Sequence, residues 1–128
     1  MERLTISTIR AYTTIEQSRK LAEILPLESA DMCYIQDLLA GCKYGEYKPY
    51  IGNLIPAYGQ DKIKCWSLAA LLDVIPEGII ENYYVPNLQK EKGKYSIAYG
   101  NEELLCVADS PLDACYGMIL KLNELNLL

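Results

Sequence analysis

Four tyrosines, Tyr44, Tyr47, Tyr50 and Tyr58, fall in the stretch YGEYKPYIGNLIPAYG, with Gly45, Gly52, Gly59, Pro49 and Pro56 among them. Glycine and proline at that density exclude a continuous helix and prevent regular pairing, so the spacing predicts a long irregular loop over residues 44–62. Rigid aromatic area beside adaptable backbone is the chemistry of a binding loop. The four rings are therefore the candidate surface for a protein or small-molecule partner. A homodimer through the same loop is another form such a contact could take. The competing reading is a loop that packs its rings back onto the domain.

Other reactive side chains point away from catalysis. The chain has no histidine, which removes the commonest general base, the Ser-His and Cys-His pairs and the commonest transition-metal ligand. Cys33, Cys42, Cys65, Cys106 and Cys115 are odd in number and form no C-x-x-C pair, so neither a disulfide framework nor a zinc knuckle is expected. Cys106 and Cys115 sit in strongly patterned apolar segments and read as buried free thiols. Asp109 and Asp113 could be paired carboxylates, but capping and helix-dipole roles account for them. No phosphate loop or dinucleotide fingerprint occurs. The expectation is a non-enzymatic protein with no metal and no cofactor. A net charge of −5 and the lack of a basic stripe argue against nucleic acid as a partner. The densest basic run, QKEKGK at 89–94, reads as a solvated hairpin tip.

These residues have to be held by ordinary elements. TTIEQSRKLAEILP predicts a helix with a capping box of Thr13 and Glu16, an apolar stripe of Ile15, Ser18, Leu21, Ala22 and Leu25, and a stop at Pro26. Before it, residues 1–12 suggest an extended arm. Ser29 could cap a helix over residues 30–40, yet MCYIQ reads equally as a short strand, and both stay open. The single tryptophan lies in IKCWSLAALLDVIP. Ser67 is a good N-cap there, with Leu68, Leu71, Leu72 and Ile75 forming one apolar face. Trp66 and Leu71 then take the two positions of a hydrophobic staple, which makes Trp66, Ser67 and Leu71 a structural anchor.

Residues 88–91 and 94–99 flank Lys92-Gly93, a tight hairpin turn, and Tyr95, Ile97 and Tyr99 alternate with small residues as a half-buried strand does. A second turn at Gly100-Asn101 precedes the strand ELLCVA. Ser110, Pro111 and Asp113 then start a helix whose inner face is Leu112, Cys115, Tyr116, Ile119 and Leu122. The predicted fold class is α+β: a small single domain over 1–128 with two N-terminal or central helices, an antiparallel three-stranded meander and a C-terminal helix packed on the sheet. At 128 residues the chain is large enough for one core without staples. No apolar run approaches the ~20 residues of a membrane span, and MERLTISTIR has no signal-type apolar region, so a cytoplasmic protein is expected. Eleven tyrosines and no phenylalanine mean that every ring but the indole brings a hydroxyl in need of a partner.

TIEQSRKLAEI, SADMCY, CWSLAALLDVIP and ADSPLDACYGMILKLNELNLL, in that order, resemble a group of short uncharacterised proteins from gut Bacteroidales and their phages or prophages. The resemblance covers most of the chain from Thr14 onward except the tyrosine loop. It implies a phage or mobile-element setting and supplies no catalytic residues. Gly117 departs from the acidic residue usual in that group. The C-terminal third, strand, strand and DSPLDACYGMI, is loosely similar to the ββα ending of HicB-type antitoxins, which bind a small toxin. The expected function is thus an accessory binding module contacting a protein or small ligand. The alternatives are an antitoxin-like inhibitor of a partner enzyme and a sponge that sequesters a signalling nucleotide on stacked rings.

Overall fold

Two adjacent threonines compete to begin the first helix, and the second of them does so. A computed structural model of the chain describes residues 11–36, 46–52, 61–78, 85–100 and 104–128. In it α1 spans Ile15–Ala22. Thr14 is the N-cap: its Oγ1 accepts from the Gln17 N–H at 3.0 Å, and Gln17 Oε1 accepts from the Thr14 N–H at 3.0 Å. The capping box expected at Thr13 and Glu16 therefore sits one residue further along. The reason is tertiary, because Thr13 is fully buried and its polar groups are committed elsewhere. Ser18, Leu21 and Leu25 bury the inner side, whereas Ala22 is exposed. After α1 a short 3₁₀ turn, Leu27–Ser29, leads into the first strand.

The described contacts fall into two compact units, one within Tyr12–Ala70 and the other built mainly from Leu71–Leu128. The first holds β1 (Met32–Ile35), β2 (Lys48–Ile51) and β3 (Lys62–Cys65) in the antiparallel order β2-β1-β3. MCYI is thus strand, not helix. The expectation that residues 44–62 cannot pair regularly is overturned over 48–51 and at Lys62. Hydrogen-bond parity explains how Pro49 is tolerated. The Gly52 N–H bonds Asp31 O at 2.7 Å, so in this register Tyr50 and Lys48 also turn their backbone groups toward β1. Pro49 faces away from β1, where a missing N–H costs the ladder nothing, and β2 is an edge strand.

A buried polar knot ties α1 to this sheet. The Thr13 N–H donates to Trp66 O at 2.9 Å, and the Trp66 N–H donates to Thr13 Oγ1 at 3.1 Å. Tyr34 Oη donates to Thr13 O at 2.7 Å. Ser18 Oγ gives its only proton to Thr14 O at 2.6 Å, so the 2.7 Å contact between Thr13 Oγ1 and Ser18 Oγ has threonine as donor. Asp31 closes the other side. Its carboxylate accepts from the Ser67 N–H at 2.9 Å and from Ser67 Oγ at 2.5 Å, while the same Oγ accepts from the Ala70 N–H at 3.2 Å. Ser67 thereby caps α2 (Leu68–Val74).

The boundary between the units falls inside α2. Leu71 and Ile75 are buried, but Leu72, expected on the same inner face, is exposed. The second unit continues with β4 (Pro86–Glu91), β5 (Lys94–Tyr99) and β6 (Leu104–Ala108), the expected antiparallel meander. Lys92 (φ 52°) and Gly93 (φ 78°) both take the left-handed conformation, as a two-residue type I′ turn requires. Ser110 Oγ accepts from the Asp113 N–H at 3.1 Å and starts α3 (Pro111–Glu124), with Pro111 in its first turn. This helix packs on β5 and β6 through Leu112, Cys115, Ile119 and Leu122. Met118 and Ala114 are buried with them, and Tyr116, expected inside, is only half-buried. Among the described residues the fold is α+β with three α-helices and two three-stranded sheets, where a single sheet was expected. The expected arm over 1–12 lies almost wholly outside the described residues.

Gly117 marks a close approach of α3 to β6, since a Cβ there would overlap Cys106 Sγ. Two expected outcomes follow from this packing. Thr13→Val keeps the shape but strands the buried Trp66 N–H, and urea unfolding should show a loss of about 1–3 kcal/mol, most of it absent in Thr13→Ser. Gly117→Ala should destabilise the parent despite a helix-propensity gain of about 1 kcal/mol, and should stabilise a Cys106→Ala background. A coupling energy in that double-mutant cycle below about 0.5 kcal/mol would show that the contact is not limiting.

Candidate functional site

Of the four tyrosines singled out by sequence, the described residues include Tyr47 and Tyr50. Tyr44 and Tyr58 lie outside the described residues. Tyr47 is half-buried, and its Oη donates to Asp61 Oδ2 at 2.7 Å, while Asp61 Oδ1 accepts from the Lys62 N–H at 2.9 Å. That ring therefore ties the approach to β2 to the approach to β3. Tyr50 is in β2 opposite Cys33 and is half-exposed. Trp66 is fully buried, with its Nε1–H donating to Ser29 Oγ at 2.9 Å, and Leu71 is fully buried as well.

The described thiols are free and sit in or against the cores: Cys33, Cys65 and Cys115 are buried, and Cys106 is partly so. Burial, with the charges of Cys33 and Asp31 adding to it, pushes Cys65 up from 9.0 to about 12. Burial, with Cys106 beside it, raises Cys115 to about 11. Burial also raises Cys106, against the pull of the Lys121 ammonium. A thiol in this state is protonated and a poor nucleophile. Asp109 pairs with Lys94 on the surface, and Asp113 occupies the third position of α3. Among the described residues no group of three or more metal-ligating side chains is placed to hold an ion. No described helix is long and apolar enough to cross a membrane.

Among the described residues two open clefts stand out, one in each unit. The outer face of the meander forms a shallow hollow of about 360 Å³ lined by Gln89, Glu91, Lys94, Ser96, Leu105 and Val107, with charges of both signs. The second, of about 400 Å³, runs between α1 and β3 and is lined by Arg19, Ala22, Leu27, Lys62, Ile63 and Lys64. It combines an apolar floor with three cations on a chain of net charge −5. Lys64 Nζ donates to Leu27 O at 3.2 Å, which holds its ammonium across the cleft. β3 is the other edge of its sheet. Sequence reasoning passed over these residues because Lys-Ile-Lys looks like any solvated strand. Only the fold brings Arg19 and Leu27 beside it.

Comparison with protein-family models, with curated proteins and with solved structures finds no match. The chemistry of the site must be read from its own residues. One consequence concerns pH. The Cys65 thiol binds its proton more tightly in the folded chain than in the unfolded one. Its contribution to stability is therefore complete below pH 9.0 and falls away as pH rises toward about 12. Urea midpoints measured from about pH 8 to about pH 10.5 should decline, and Cys65→Ala should decline less steeply than the parent. Equal slopes would place the alkaline loss elsewhere.

Proposed function

We propose that the chain is a non-enzymatic binding module, an accessory protein of a phage or mobile element, that holds a protein partner along the cleft between α1 and β3. The observation that carries this reading is the cleft itself, where apolar surface, three cations and a sheet edge lie together. Apolar floor supplies contact area, and the cations select the partner and steer its approach. The phage or mobile-element setting rests on the sequence resemblance. A second reading, an antitoxin-like inhibitor of a partner enzyme, is favoured by the succession β5, β6, α3, the ββα ending that the looser similarity implies.

The test is affinity purification of the tagged chain from its native host, comparing the parent with an Arg19→Glu/Lys64→Glu variant. Both side chains are on the surface, so the variant should melt within about 3 °C of the parent. The parent should recover one partner in near-stoichiometric amount, and the variant should lose it. A partner retained by this variant but lost on Tyr50→Ser would move the binding surface to the tyrosine edge. A recovered enzyme whose turnover the chain suppresses would favour the inhibitor reading.

A further inference from the structure

The two borders of the β4-β5-β6 sheet differ in what they leave open. Glu91 and Lys94 flank the two-residue turn and so exchange both backbone bonds, which sets the parity of the whole ladder. Asn87, Gln89 and Glu91 turn their backbone groups toward β5, and Leu88 and Lys90 turn theirs outward. On the far side β6 turns Leu105 and Val107 outward. One of those carbonyls is already taken, because Lys121 Nζ donates to Leu105 O at 3.1 Å. At β4 no described residue bonds the outward groups of Leu88 and Lys90. Asn87, Gln89, Lys90 and Glu91 are exposed. A lysine on an edge strand ordinarily repels a second strand. Here the Lys90 ammonium lies over the Tyr95 ring, 5.5 Å from its centroid, and is drawn inward off the border.

We infer that β4 pairs antiparallel with β4 of a second copy of this chain, joining two three-stranded sheets into one. Three registers bring the outward groups together, and the residues themselves separate the three. Lys90 opposite Lys90 sets like charges side by side and requires Leu88 to bond Lys92, whose φ of 52° is not extended. Leu88 opposite Leu88 leaves each Lys90 carbonyl facing Pro86, which has no N–H. Leu88 opposite Lys90 uses every outward group of both residues, with the two-fold axis at Gln89. On the outer face this register sets Gln89 against Gln89 and Asn87 against Glu91, each pair joining an amide donor to an acceptor. On the other face the stem of Lys90 lies along Leu88. The stretch from Asn87 to Glu91 is thus complementary to its own reverse. Such a contact is isologous and closes at two copies, and α3, packed on β5 and β6, lies away from the joint. It uses none of the residues of the cleft between α1 and β3, so a dimer carries two such clefts and gains avidity for a repeated partner.

The experiment follows the full chain by sedimentation equilibrium over a dilution series. The parent should move from the 14.4 kDa of one chain toward twice that mass as concentration rises. Lys90→Pro removes an outward donor and no bond to β5, so it should weaken the dimer by about tenfold or more while the ¹⁵N amide spectrum stays that of the fold. Lys90→Ala keeps the donor and should stay dimeric. For the register, Gln89→Cys should cross-link on diamide oxidation, since facing residues at such a position stand about 4.5 Å apart between Cα atoms. Asn87→Cys, equally exposed but off the axis, should not cross-link, and neither should the parent. A parent that stays monomeric at every concentration overturns the pairing, and so does a dimer that Lys90→Pro leaves intact. Slowed exchange of the Leu88 and Lys90 amides only when a host protein is added to a monomeric parent would assign the border to that protein instead. If Lys90→Pro does not fold, the cysteine variants decide: equal cross-linking at positions 87 and 89 overturns the register, and none at 89 overturns the dimer. Growth beyond two copies would overturn closure at β4.

Discussion

Thr13 is a polar junction of the first unit, because three chain segments meet on its few polar atoms. Its N–H and Oγ1 hold both backbone groups of Trp66, its C=O holds the Tyr34 phenol, and its hydroxyl proton goes to Ser18. Each bond contributes only about 1 kcal/mol net when made, but each buried group left without a partner costs up to about 3 kcal/mol. The arrangement is therefore close to all-or-none. It fixes where α1 starts, since a threonine committed to the sheet cannot also cap the helix, and Thr14 takes that role. It also covers the Trp66 end of the outer edge of β3. The cleft begins where Thr13 stops.

The abundance of tyrosine has a related use. Tyr34 reaches Thr13, Tyr47 reaches Asp61, and Tyr99 reaches Pro76 O at 2.5 Å, each joining segments that are distant in sequence. Burial pushes the Tyr99 phenol up to about 12, so it stays a donor at any ordinary pH. Tyr12 and Tyr34 meet edge to face with ring centroids 6.0 Å apart. A phenylalanine at these places would fill the same volume and remove the phenol donor from each of these links. The rings thus combine packing with long-range stitching, which is one use for so many hydroxyls in a chain without phenylalanine.

Where a few adjacent residues decide the outcome, the sequence was readable. Lys92-Gly93 announces a hairpin, Ser110-Pro111 announces a helix start, and Ser67 after a buried tryptophan announces another, because turn and cap chemistry is local. The failures arise where distant groups decide. Thr13 and Thr14 each have an acceptor three residues on, Glu16 and Gln17, so spacing alone favours neither; the bonds to Trp66 choose. Pro49 argues against a strand until the parity of β2 shows its nitrogen facing outward. Leu72 and Tyr116 satisfy helical spacing yet stand outside the cores, because each helix buries a narrower stripe than its apolar residues could cover. The cleft was the least legible feature. Its lysines alternate as an ordinary solvated strand would, and nothing local to them mentions Arg19.

The two borders of the β2-β1-β3 sheet are unlike one another. On β2 one of the two outward positions is held by a proline, with no donor to offer, and Ile51, the other, is 85% exposed. On β3 the Trp66 end of the outer edge is already filled by Thr13. Endless stacking of sheets edge to edge needs two competent borders on every copy, so that each joined unit can recruit the next. Each border of the sheet is thus blunted at one point, which disfavours open-ended edge-to-edge stacking of copies.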